Sequence, residues 1–210
     1  MTKEALARVQ TGLRDLGYDP GPIDGLWGAR TRAAAQALID ANGRAATPAP
    51  RPAPAGGAMI HQGATRHPVR EIIIHCAATR PDWMAGRPLA EKVAEIRRWH
   101  MSPPNNWRDI GYHWIIDRDG ARAQGRAETE IGAHTVGRNS GTIGICLLGG
   151  HGSSERDAFA ANFTPAQDAA LRQLIAEIRG RSAITLITGH NQYAAKACPG
   201  FNVPAWLAAA

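Results

Sequence analysis

The chain has 210 residues, 44% of them hydrophobic and 20% charged, which is enough for one well-buried core plus a small extra module. No uninterrupted apolar run is long enough to span a bilayer, and three cysteines without paired spacing exclude a disulfide framework. The net charge of +6 at pH 7 favours an anionic partner but does not choose among nucleic acid, membrane and cell-wall polymer.

The opening residues Met1-Thr2-Lys3-Glu4-Ala5 hold no apolar signal core, so synthesis in the cytoplasm without self-export is expected. Leu6, Val9, Leu13 and Leu16 recur at helical spacing, and Gly17 supplies the stop. A turn-rich loop from Tyr18 to Gly28 leads to a second helix expected from about Thr31 to Asn42. Residues 44–58, RAATPAPRPAPAGGA, read as an extended, semi-rigid spacer. The expected organisation is a small helical domain over 1–43, a linker over 44–58 and a catalytic domain over 59–210.

Beyond the spacer, Glu71 to His75 reads as a short apolar strand, and Leu89, Val93, Ile96 and His100 mark a helix. Gly111 to Arg118 and Thr142 to Leu148 are strand-like, with Asp119-Gly120 as a hairpin turn. Thr164-Pro165-Ala166-Gln167 is a capping box with proline at the first helical position, opening a helix through Leu171, Leu174, Ile175 and Ile178. Ala183 to Thr188 reads as a buried strand leading to His190. The fold class expected is α/β (α+β), a central mixed sheet flanked by helices, plus the small all-α N-terminal domain.

The chemistry concentrates in Lys196-Ala197-Cys198-Pro199-Gly200, with His190 just before it and His75 far upstream. Two imidazoles and a thiolate make a three-ligand zinc site with an open fourth position, which is what a zinc hydrolase needs. Strand alternation sends His75 and Cys76 to opposite faces, so His75 is assigned to the metal and Cys76 to the core. Cys146, inside Ile145-Cys146-Leu147, receives the same core assignment. Pro199 disfavours helix, which lets Lys196 and Cys198 lean into one cleft; the alternative is a solvated lysine beside a buried cysteine. Alternation along Gly111 to Ile116 predicts that Tyr112, Trp114 and Ile116 share a face, with a cleft-facing Tyr112 phenol and an inward, structural His113. His61, His67, His100 and His151 read as surface or packing residues, and Trp83, Trp99, Trp107 and Trp206 as core or cleft wall.

Two resemblances cover most of the chain. VQTGLRDLGY followed by GPIDGLWGARTRAA resembles the peptidoglycan-binding domain at the ends of many cell-wall hydrolases; the other reading of IDGLWG is a tight turn around a packed Trp27. IIIHCAAT, EIRRWH, DIGYHWIIDRDG, IGAHTVGRNSGTIGICLLGG, NFTPAQ and GHNQYAAKACPGF together resemble the zinc-dependent N-acetylmuramoyl-L-alanine amidases of the phage T7 lysozyme type, which share their fold with the peptidoglycan recognition proteins. That resemblance implies His75, His190 and Cys198 as ligands of one Zn2+, Tyr112 and Lys196 as catalytic residues, and His134 as a substrate contact. It implies an endolysin-like monomer that cleaves the bond between N-acetylmuramic acid and L-alanine, with peptidoglycan as partner and neither nucleic-acid binding nor stable membrane insertion. Such a protein is expected to reach the wall after release, through a holin-made lesion if it is phage-encoded. The competing readings are a bacterial housekeeping amidase, a non-catalytic muropeptide-recognition protein and an amidase that also regulates a phage RNA polymerase. Non-catalytic relatives generally lose the thiolate that Cys198 supplies here.

Overall fold

The structure, a computed structural model, describes residues 2–45 and 59–209. It divides into two compact units, Met1–Pro50 and Arg51–Ala210. The expected linker lies, from residue 46 to residue 58, outside the described residues.

In the first unit, helix α1 (Lys3–Asp15) is capped by Thr2, whose Oγ accepts the Ala5 N–H at 3.2 Å, and ends where Gly17 turns to φ +87°. Helix α2 (Ala29–Ala45) extends further at both ends than its apolar pattern predicts. Of the four spaced apolar residues on α1, Leu13 is fully buried, whereas Val9 is 38% and Leu16 64% exposed. The inner position is taken by Gln10, which donates to Asp24 Oδ1 at 2.9 Å, Leu26 O at 3.1 Å and Thr31 Oγ1 at 3.1 Å, and accepts the Gly25 N–H at 2.8 Å. One buried glutamine therefore satisfies the polar groups of the interhelical loop. Trp27 is 44% exposed, so the packed-tryptophan reading of IDGLWG does not hold.

The second unit opens with a small antiparallel pair, β1 (His61–Gln62) and β2 (His67–Pro68). The main sheet holds β3 (Glu71–Cys76), β4 (Trp114–Ile116), β5 (Arg122–Gln124), β6 (Thr142–Leu147) and β7 (Leu186–Gly189) in the order β5-β4-β6-β3-β7. All neighbours are parallel except the β4–β5 hairpin, so the sheet is mixed. Every residue of β3 and β6 is buried, as expected of central parallel strands covered on both faces.

Helix α3 (Leu89–Met101) covers one face through Val93 and Ile96, packed with Ile110, Ile115 and Leu148. Helix α5 (Pro165–Arg179) covers the other through Leu171, Leu174 and Ile178, packed on Ile72, Ile74, Ile143 and Ile145, with short α4 (Phe159–Asn162) and α6 (Val203–Ala208) at its edge. The Thr164–Gln167 capping box forms as read: Thr164 Oγ1 accepts the Gln167 N–H at 3.1 Å and Gln167 Oε1 the Thr164 N–H at 3.2 Å.

Two strand readings need correction. The segment 111–118 is regular only over Trp114–Ile116, because Ala133 and Arg126 donate to the carbonyls of Gly111 and Tyr112, each at 3.0 Å, and pull that backbone out of the ladder. Alternation therefore fails there: Tyr112 packs with the α3 cluster, while Trp114 and Ile116 pack on the α5 side. The last strand starts at Leu186 rather than Ala183 and lies at the sheet edge, where Thr185 and Leu186 are exposed.

Candidate metal centre and cleft

His75 lies near the end of β3 on the α3 side, while Ile72, Ile74 and Cys76 belong to the α5-side core, so the two-residue period of the strand sends His75 and Cys76 to opposite faces, although Cys76 also lines the cleft. Cys146 is fully buried, in keeping with its core assignment. Beside β3, β7 delivers His190 on a single 3-10 turn (His190–Gln192), and the loop before α6 delivers Cys198. One ligand atom from each of His75, His190 and Cys198 falls in a cluster whose members all lie within 4.8 Å of one another. His75 Nδ1 stands 3.7 Å from Cys198 Sγ, and the two imidazole rings are 4.7 Å apart at their centroids.

The electrostatics suit a dication. Burial, helped by His134, His190 and Lys196, pulls His75 well below the usual imidazole range, and burial with Lys196 lowers His190. Both rings are therefore neutral near pH 7 and hold a free lone pair. The Cys198 thiol is pushed up by its hydrogen bond with Cys76 and by burial. A dication beside the sulfur reverses that preference, and the Cys76 backbone N–H already donates to Sγ at 3.3 Å.

His134 takes a place that its sequence position alone did not reveal. It is 6% exposed, and its Nδ1 lies 3.1 Å from His75 Nε2 while its Nε2 lies 3.3 Å from Thr142 Oγ1. Thr142 in turn donates to the Arg138 carbonyl at 2.7 Å. With Nδ1 of His75 toward the cysteine, the His75 proton sits on Nε2 and donates to His134, so a chain of hydrogen bonds fixes the tautomer. The space for this ring comes from two glycines: a Cβ on Gly132 or Gly144 would lie 2.5 Å or 2.6 Å from it. Small residues at those two points were the available signal. His113 is fully buried and structural, bonded to the Glu130 carbonyl at 2.9 Å and the Gly144 N–H at 3.0 Å.

A second support was also missed. Glu71, the one carboxylate in an apolar strand, accepts from Thr188 Oγ1 at 2.7 Å and from the Tyr193 hydroxyl, and pairs with Arg138 at 3.1 Å. Thr188 and Tyr193 flank His190, so this brace ties the His190 turn to β3.

His190 and Cys198 line a cavity of about 350 Å³ together with Tyr112, Lys196, Trp107, Val136, His134 and Cys76, and His75 lies behind them. Lys196 is exposed, whereas burial pushes the Tyr112 phenol well above its ordinary value and keeps it a proton donor. Tyr112 approaches His75 to 5.2 Å between ring centroids.

The histidines make stability acid-sensitive. Burial lowers His75, His113 and His134, and takes His100 from 6.5 to about 4. Their folded pKa values lie below the unfolded ones, so the unfolded chain takes up protons first; stability is complete above about 6.5 and is lost as pH falls toward the folded values. Melting of chelator-treated protein is expected to drop steadily from pH 7 to 4.5, each ring removing at most about 1.4 kcal/mol per pH unit. A flat melting profile would mean the native rings carry protons.

The mixed sheet with a helix layer on each face is a fold this chain shares with solved amidases and peptidoglycan recognition proteins. The solved N-acetylmuramoyl-L-alanine amidase LysC from Clostridium intestinale URNW superposes with a TM-score of 0.52 over 67% of this chain and 84% of its own, at 24% identity. The chain belongs to the N-acetylmuramoyl-L-alanine amidase family, whose profile matches residues 65–201. It is 41% identical to the endolysin of Escherichia phage T7 over 135 residues, 64% of this chain and 83% of that one. Peptidoglycan-recognition protein SC2 of Drosophila melanogaster is 32% identical over 115 residues, 53% of this chain and 58% of its own.

Proposed function

We propose that the chain hydrolyses the amide between N-acetylmuramic acid and the L-alanine of the peptidoglycan stem as a zinc enzyme, with one Zn2+ held by His75, His190 and Cys198. The observation that carries this reading is the convergence of those three donors at the cavity that Tyr112 and Lys196 line. Two neutral imidazoles and one sulfur fit the ligand set of an open zinc site. Zinc, when bound, supplies Lewis acidity toward a water and a carbonyl oxygen.

The chain's own residues do the rest. Lys196 places a positive charge at the mouth, where the carbonyl oxygen gains negative charge during attack. Tyr112, kept protonated by burial, donates a hydrogen bond and can pass a proton toward the departing nitrogen. Trp107 and Val136 offer apolar wall to the substrate. His134 orients His75 and, lining the cavity, is also placed to contact substrate. His134→Ala is expected to weaken metal affinity by about 10- to 100-fold, measured by competition with a chelator, while the chain stays folded. Unchanged affinity would remove His134 from the site.

Mass spectrometry of digested sacculi together with metal analysis tests the whole reading: cleavage of any other bond, or full activity of zinc-free protein, refutes it. A muropeptide-recognition protein that does not cut would leave sacculi intact with or without chelator. The T7-type resemblance also covers polymerase regulation, which a transcription assay with a cognate polymerase addresses.

Among the described residues no helix is long and apolar enough to cross a membrane. The working picture is a monomer that acts on the wall after release from the cytoplasm. Residues 1–43 serve as the wall anchor, 44–58 as spacer and 59–210 as catalyst, with Leu26 and Trp27, 57% and 44% exposed, as the contact surface of the anchor. Trp27→Ala is expected to reduce binding to intact sacculi several-fold without changing turnover of a small soluble muropeptide. Equal sacculus binding would rule the tryptophan out as anchor.

A further inference from the structure

A second cavity, of about 530 Å³, shares no lining residue with the cleft beside the trio. It lies past the carboxyl ends of three parallel strands: Thr79 follows β3, Asp117 follows β4 and Leu148 follows β6. β3 and β6 are neighbours, yet β3 leads to α3 on one face and β6 leads to α5 on the other. Such a reversal opens a crevice, and in open α/β sheets ligands bind at that point.

The charge of the crevice selects the ligand. Lys92 and Asp117 form a buried pair at 2.7 Å and cancel. Asp119 keeps its charge while it accepts the Ala121 N–H of its own turn, and Arg87 pairs with Glu91. Arg80 and Arg118 outnumber Asp119: among the described residues neither guanidinium has a carboxylate partner, and that of Arg118 donates to the Asn162 carbonyl at 3.1 Å, while its backbone N–H bonds Asp117. Trp83 adds an apolar wall. We propose that this crevice is a second binding site, separate from the catalytic cleft, in which Arg80 and Arg118 hold an oxyanion of the carboxylate or phosphate class. Guanidinium groups match both geometrically, and a wall polymer supplies either, as stem-peptide carboxylates or as phosphodiesters.

The test uses the full chain, isotope-labelled for NMR and titrated with inorganic phosphate and with acetate at constant ionic strength. Saturable shifts of the Trp83 indole and the Leu89 and Ala90 amides are expected, with affinity falling at least about fivefold in Arg80→Gln and in Arg118→Gln. Arg80 is exposed, so Arg80→Gln carries the test alone if Arg118→Gln fails to fold. Turnover of a soluble muropeptide should stay within about twofold in Arg80→Gln. Binding to sacculi stripped of phosphodiester polymer then separates the sources: a loss equal to that of Arg80→Gln assigns phosphate, and retention that still depends on Arg80 assigns carboxylate. Non-saturable shifts, shifts unchanged in Arg80→Gln, or a matching loss of soluble turnover would overturn the site.

Discussion

Cys198→Ser is expected to lose nearly all amidase activity and most of its bound metal, because a neutral hydroxyl is a far poorer zinc ligand than a thiolate. Cys76→Ser is the internal control. Its side chain is 7% exposed, on the α5 side of the strand, and meets the Cys198 thiol; its backbone N–H also donates to Cys198 Sγ, and a serine hydroxyl keeps a donor at the first contact while the second is untouched. The control should keep metal and activity and lose some thermal stability. Metal content by elemental analysis and release of muropeptides from sacculi are measured on both variants. Equal metal loss in the two would refute the ligand assignment, because it would mean that either sulfur serves.

Lys196→Ala should bind metal normally and stay folded, yet lose about 10²- to 10³-fold in turnover, the scale for one group that stabilises a developing oxyanion. Lys196 is exposed and also lowers the pKa of both imidazoles, so its removal relaxes that repulsion and should not weaken the metal. Tyr112→Phe should fall in the same direction while keeping the ring packed on the α3-side cluster, so that only the hydroxyl is tested. Turnover of a soluble muropeptide, with metal content measured in parallel, separates the two contributions. Near-wild-type rates in both variants would leave the metal as the sole catalytic element and sink this mechanism.

Much of this was legible without coordinates because it is written locally. Ile72-Ile73-Ile74 before His75 fixes a buried strand and, by its period of two, which side chain leaves the core. Thr164-Pro165-Ala166-Gln167 sets a helix start through its own hydrogen bonds. The family motifs were equally readable, since each lies within a short run of residues. Where periodicity was extended too far it failed: the alternation from Tyr112 to Trp114 broke because loop residues Arg126 and Ala133 bond that backbone, and a two-residue period cannot register a partner from another segment.

The sequence by itself thus determined the sheet-and-helix class, the candidate trio of His75, His190 and Cys198 and the two resemblances. Only the tertiary structure decided how the trio is held and what else the fold offers. His134 turns toward His75 because Gly132 and Gly144, on different segments, leave room for its ring. Gln10 reaches from α1 into the loop at Gly25 and Leu26, next to a Trp27 that stays exposed. Arg80 and Arg118 meet in one crevice because β3 and β4 flank β6 and run in the same direction. Each of these depends on strand order and register between distant segments, which side-chain type and spacing along the chain do not encode.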